Sequence, residues 1–135
     1  MAHALYGHDG LCKNIHGHTY TLHVTLLGIP LNDFENPKDG MVIDFTDLKK
    51  IVKENILAVY DHALVLNADS PHGELKELST TFERVVHFEQ QPTCENLVIA
   101  FATKLLPCIP ETVSLYSLKL EETPTSYAEW HARDN

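Results

Sequence analysis

From His16 to Leu27 the chain alternates with a period of two. His16, His18, Tyr20, Leu22, Val24 and Leu26 share one parity, and Thr19, Thr21, His23 and Thr25 share the other. Alternation rich in β-branched and aromatic residues predicts a half-buried strand. The turn-forming run Asn36-Pro37-Lys38-Asp39-Gly40 leads into the short apolar segment Met41-Val42-Ile43, which predicts a hairpin partner for that strand. The period then changes. Phe45, Leu48, Ile51, Val52, Ile56 and Val59 recur at steps of three and four, so Asp44 or Thr46 caps a helix running to about Tyr60.

Residues Asn67 to Gln91 read as an insert. It contains a Ser70-Pro71 turn, a helical patch near Leu75 to Leu78, and a strand from Arg84 to Glu89. Thr93 caps a second amphipathic helix, with Leu97, Val98, Phe101 and Leu105 on one face, and Pro107 stops it. Strands from Val113 to Glu122 and from Ser126 to Arg133 close the chain. The order strand, strand, helix, insert, helix, strand, strand predicts one α+β domain over residues 1–135, with an antiparallel sheet carrying its helices on one face.

Composition narrows the partners. The 135 residues are 44% hydrophobic and 21% charged, an ordinary globular balance. Ten Lys and Arg against nineteen Asp and Glu give a net charge of −9, which argues against nucleic acid and against an anionic membrane surface. With no membrane-length apolar run and no signal segment, a cytoplasmic address is expected. Cys12, Cys94 and Cys108 form no Cys-x-x-Cys pair, and an odd count suits free thiols better than a disulfide framework. Nine histidines stand out, at roughly three times average usage.

Two of those histidines carry the clearest chemistry. Residues i and i+2 of a strand point the same way, so His16 and His18 project together, about 6–7 Å apart, from the apolar parity. Gly17 between them leaves room for close backbone approach. With His3 upstream, three neutral imidazoles and one open position form the layout of a catalytic zinc site. Cys12 stands near, and as a fourth ligand it would make the site closed and structural. Asp61-His62 follows the first helix. A carboxylate beside an imidazole fixes its tautomer and makes His62 a candidate acid/base group. Glu122 ends a strand on the inward parity of Tyr116, Leu118 and Leu120, where a carboxylate accepts paired N–H donors such as those of a pterin or guanine.

These blocks together resemble a known family. Cys12-Lys-Asn-Ile-His16-Gly-His18, Gly40-Met-Val-Ile-Asp44-Phe-Thr-Asp-Leu48-Lys, Tyr60-Asp61-His62-Ala-Leu64, Pro92-Thr93-Cys-Glu95-Asn96 and Leu120-Glu-Glu122-Thr follow the order of the 6-pyruvoyltetrahydropterin synthase family across almost the whole chain. The three-residue gap between Cys12 and His16 is similar to that of its 6-carboxytetrahydropterin branch. The resemblance implies the T-fold, a four-stranded antiparallel sheet with two helices on one face. It also implies homotrimers or homohexamers with active sites between subunits. It implies Zn²⁺ on His3, His16 and His18, proton transfer by Cys12 with Asp61 and His62, and a pterin ring anchored by Glu122, with Thr93 and Glu95 as further substrate contacts. The implied reaction converts 7,8-dihydroneopterin triphosphate to 6-carboxy-5,6,7,8-tetrahydropterin, acetaldehyde and triphosphate, in queuosine (7-deazaguanine) biosynthesis.

Alternatives on the same scaffold are 6-pyruvoyl formation, a dihydroneopterin side-chain aldolase, and a non-catalytic zinc- or pterin-binding module. The family has a strand before its first zinc histidine. Here the chain opens Met1-Ala2-His3, so that strand is expected to be cut short, leaving His3 beside a frayed end. Lys13, Arg84 and Arg133 are the candidates for phosphate contact.

Overall fold

The structure, a computed structural model, describes residues 1–135. Seven strands and four α-helical segments follow the chain: β1 Ala2–Ala4, β2 His16–Gly17, β3 Thr21–Gly28, α1 Phe45–Val52, α2 Ala58–Tyr60, β4 Leu64–Asn67, α3 Lys76–Thr81, β5 Val85–Phe88, α4 Cys94–Leu105, β6 Val113–Thr123 and β7 Ser126–His131. A five-residue π-turn, Lys53–Leu57, joins α1 to α2, so the expected first helix runs continuously with one widened turn. The α+β T-fold class is as expected, and the strand pairing refines it.

Two sheets share the strands. β3, β6 and β7 form an antiparallel sheet in the order β3-β6-β7. The second sheet has the order β2-β1-β4-β5 and is mixed: β1 pairs antiparallel with β2 and parallel with β4, and β4 pairs parallel with β5. The long strand expected from His16 is broken at His18 to Tyr20, but its parity survives the break. Leu22, Val24 and Leu26 are half-buried while Thr21, His23 and Thr25 are exposed.

Met41 to Ile43 form no strand. The Leu31 amide donates to the Met41 carbonyl, and the Gly40 amide donates to the Leu31 carbonyl, so this loop closes on itself. Gly40 makes the turn at a φ of 78°, a left-handed conformation that glycine adopts at no steric cost. The first strand is short but present. Ala2 and His3 pair with Gly17 and His16 on one side and with Leu64 and Val65 on the other. His3 is therefore clamped between two strands and is only 3% exposed, not frayed.

The core lies where α4 packs across the antiparallel sheet. Thr93 caps α4 through its side chain, which accepts from the Asn96 amide. The apolar stripe Leu97, Val98, Phe101 and Leu105 meets Leu115, Leu118, Leu120, Ala128 and Trp130 from β6 and β7. Tyr60 and Ile56 close it from the other helix, with the Tyr60 and Phe101 rings 4.8 Å apart. Burying each of these large side chains is worth about 1.5–3 kcal/mol. No residue of α1 is fully buried, and Phe45 is 73% exposed.

Candidate metal centre and its cleft

The β1–β2 ladder sets His3 directly opposite His16, and His18 follows two residues later on the same face. Gly17 makes the approach possible: a Cβ there would stand 3.3 Å from the Met1 carbonyl oxygen. The three imidazoles converge, with one nitrogen of each lying within 4.8 Å of the others. Ring centroids are 4.5, 5.7 and 5.2 Å apart for the pairs His3–His16, His3–His18 and His16–His18.

The outer nitrogens of two of these rings fix their tautomers. His3 Nδ1 lies 2.6 Å from the Pro92 carbonyl and His16 Nδ1 lies 2.8 Å from the Asn14 carbonyl. A carbonyl only accepts, so each Nδ1 carries the proton and each neutral ring presents a bare Nε2 lone pair. Those two Nε2 atoms face each other at 3.1 Å. Burial holds the His3 imidazole below the ordinary histidine range, against the opposing pull of the Pro92 hydrogen bond. Two lone pairs at that distance repel unless a cation or an extra proton lies between them. A tetrahedral ion with bonds of about 2.0–2.1 Å sets its ligand atoms about 3.3 Å apart, so the residues fit a metal.

Glu122 closes one side of the cluster. Its Oε1 is 3.4 Å from His3 Nε2 and 3.8 Å from His18 Nε2. Tyr20 donates its phenol proton to the same oxygen at 2.6 Å. Burial, and then this hydrogen bond, push the Tyr20 phenol far above its usual range, so it remains a donor. Sequence reasoning gave Tyr20 no role. Its parity with His16 and His18 was the available signal.

Asp61 and His62 line a cleft whose walls also include Met1, His18, Tyr20 and Tyr60. His62 Nδ1 is 3.0 Å from Asp61 Oδ1, and the side chains are 86% and 60% exposed respectively. His62 is the single non-glycine residue with a positive φ, 58°, a strained conformation that clusters at functional sites. Arg84 braces the turn: its Nη1 donates to the carbonyls of Ala58 and Asp61, each at 3.1 Å.

The remaining expected site residues are not among the converging ligand atoms. Cys12, half-buried in the 3₁₀ turn Leu11–Lys13, is a free thiol whose sulfur is not among the converging ligand atoms. The Thr93 hydroxyl is taken up by its helix cap, and Glu95 is exposed on the first turn of α4. Neither lines the cleft that holds His18, Asp61 and His62. Arg133 sits 3.4 Å from Asp134 in the C-terminal 3₁₀ turn, and Lys13 is exposed.

A sequence profile of the family described as 6-pyruvoyl tetrahydropterin synthase matches residues 1–133. The chain belongs to this family. It is 38% identical over 136 residues to a 6-carboxy-5,6,7,8-tetrahydropterin synthase of Haemophilus influenzae, covering 96% of this chain and 91% of that protein. It is 32% identical to a 6-pyruvoyl tetrahydrobiopterin synthase of Dictyostelium discoideum, covering 87% and 71%. Among solved structures it resembles the 6-pyruvoyl tetrahydropterin synthase of Caenorhabditis elegans, with a TM-score of 0.64 and 29% identity over 97% of this chain and 87% of that one. No helix is long and apolar enough to cross a membrane.

Proposed function

We propose that the chain is a zinc-dependent lyase that converts 7,8-dihydroneopterin triphosphate and water to 6-carboxy-5,6,7,8-tetrahydropterin, acetaldehyde and triphosphate, a step of queuosine (7-deazaguanine) biosynthesis. The observation that carries this reading is the convergence of His3, His16 and His18 beside Glu122, with His18 lining the cleft that also holds the Asp61–His62 pair. The relative in Haemophilus influenzae supports the carboxy-pterin product.

His3, His16 and His18 would hold the ion through neutral nitrogens, a donor set that suits zinc and leaves a position for substrate. Bound there, zinc supplies Lewis acidity toward a hydroxyl-bearing side chain. Glu122 accepts the 2-amino and ring N–H donors of the pterin, a paired contact that a carboxylate meets with both oxygens. Asp61 holds the Nδ1 proton of His62, which leaves His62 Nε2 free to take and return a proton. Cys12 is the second proton carrier of this reading. The high exposure of His62 suits a site completed across a subunit boundary, in a cytoplasmic homotrimer or homohexamer.

The Dictyostelium relative favours a second reading, formation of the 6-pyruvoyl product on the same residues. Incubation of the zinc-loaded protein with 7,8-dihydroneopterin triphosphate separates the two. Acetaldehyde release with a carboxylated pterin supports the proposal. Turnover to a pyruvoyl pterin without acetaldehyde, or no turnover at all, overturns it.

A further inference from the structure

Tyr20 stands where three groups meet. It sits just before β3, and continuing the β3–β6 register, in which Thr21 opposes Glu121 and Leu22 opposes Leu120, places it opposite Glu122. Its phenol oxygen is 2.6 Å from Glu122 Oε1 and 3.5 Å from His3 Nε2. Its ring meets His3 and His18 edge-on, at centroid distances of 6.1 and 5.8 Å and interplanar angles of 87° and 89°. This packing fixes the ring, and with it the position of the phenol oxygen against Glu122.

One oxygen of Glu122 carries most of its contacts. The imidazole nitrogens of His3 and His18 lie within 4 Å of its Oε1, and the phenol donates to the same oxygen. An O–H···O⁻ bond of this length is the stronger, charge-assisted kind. A carboxylate offers about four lone-pair sites, and the phenol takes one. The other lone pair of Oε1 and both of Oε2 remain for paired N–H donors. Without the phenol, a carboxylate on a flexible Glu side chain is free to rotate, and the paired contact must then be ordered at the moment of binding.

We infer that Tyr20 is a positioning residue, which fixes the Glu122 carboxylate so that it presents both oxygens to the pterin ring. The inference rests on the reading of Glu122 as the ring anchor. Tyr20 contributes through Glu122 and touches no reacting atom.

Neopterin is a suitable probe, because its ring carries the same 2-amino and N–H donors and it fluoresces. Its binding to the metal-free protein is measured for the unmodified chain, Tyr20→Phe, Glu122→Gln and the double variant, with melting temperatures as the check on folding. Tyr20→Phe keeps the ring packing and is expected to weaken neopterin binding about tenfold, while adding no further loss in the Glu122→Gln background. Unchanged binding in Tyr20→Phe, with Glu122→Gln weakened, overturns the role of Tyr20 and leaves the anchor standing. So does a Tyr20→Phe loss that adds in full to that of Glu122→Gln. Absence of neopterin binding by the unmodified chain, or indifference to Glu122→Gln, overturns the anchor and the inference together. If Tyr20→Phe does not fold, Glu122→Asp draws the carboxylate back from the phenol by one methylene. It is expected to show the same loss, and unaltered binding overturns the inference.

Discussion

The Nε2 atoms of His3 and His16 face each other at 3.1 Å, although each ring has already committed its Nδ1 proton to a backbone carbonyl. The pair is thus costly in the absence of a cation, and a bound metal would relieve it. Added Zn²⁺ should raise the melting temperature of the metal-free protein. At free metal a hundred times the Kd, the gain is about 2.7 kcal/mol. Thermal melts with and without zinc check this, and His16→Ala should abolish the difference. A melting temperature indifferent to zinc would count against the site.

The same burial makes the fold sensitive to acid. His3 is held below the ordinary imidazole range by desolvation, so between its folded and unfolded values the unfolded chain binds more protons. Stability tied to this ring is complete above roughly pH 6.5. It is lost as pH falls from there toward the folded value. Melts of the metal-free protein at pH 7.5 and pH 5 should therefore differ more for the unmodified chain than for His3→Gln. Equal differences would mean that the ring is not the source.

Asp61 supports His62 at 3.0 Å on an exposed turn, so its loss should cost activity and not stability. Asp61→Asn is expected to lower kcat about 10²–10⁴-fold with zinc content and melting temperature unchanged. His62→Gly removes the acid/base group and also relieves the positive φ. It should be inactive and melt no lower than the unmodified chain. A clear drop in melting temperature would show that the imidazole holds the turn together.

Thr93 offers a test between a binding role and a helix cap. Its hydroxyl accepts from the Asn96 amide at the start of α4. Thr93→Ala should cost about 1 kcal/mol of stability, measured by urea denaturation, and Thr93→Ser should recover most of it. A change in KM at unaltered stability would instead favour the substrate contact implied by family resemblance.

The three thiols should separate by reactivity. Cys94 is buried, donates to the Leu120 carbonyl, and has its pKa pushed up to about 11 by desolvation. Cys12 and Cys108 are half-buried. At pH 8, iodoacetamide should modify Cys12 and Cys108 in the native protein and reach Cys94 only after unfolding. Mass mapping of alkylated peptides reads this directly, and early modification of Cys94 would contradict its placement.

Much of this was legible because it depended on local periodicity. The stripe from Leu97 to Leu105 and the alternation through β3 and β6 are one-sided burial patterns, and the fold honours them. The inward parity expected of Glu122 needed only the two-residue period of a strand, and its carboxylate does lie against His3 and His18. β4 was not legible. Leu64 to Asn67 is a short apolar run, and such runs do not separate strand from other buried segments. The hairpin expected at Met41 failed because the loop from Leu31 to Met41 satisfied its own backbone groups. His3 was misjudged for a related reason. Its burial comes from pairing with residues 13 and 62 positions away, which no local window reveals.

The placement of the first residue has a practical consequence for anyone preparing the protein. Met1 lines the cleft with His18 and His62, and its carbonyl accepts from the His18 amide. A fusion partner joined there would enter the cleft wall within two residues of His3, one of the proposed metal ligands. A polyhistidine tag would add imidazoles that compete for the ion being assayed. The C-terminal turn Ala132–Asp134 ends in exposed residues with no part in the cleft. Affinity handles belong at that end, and metal stoichiometries measured with an amino-terminal tag would report the tag as much as the protein.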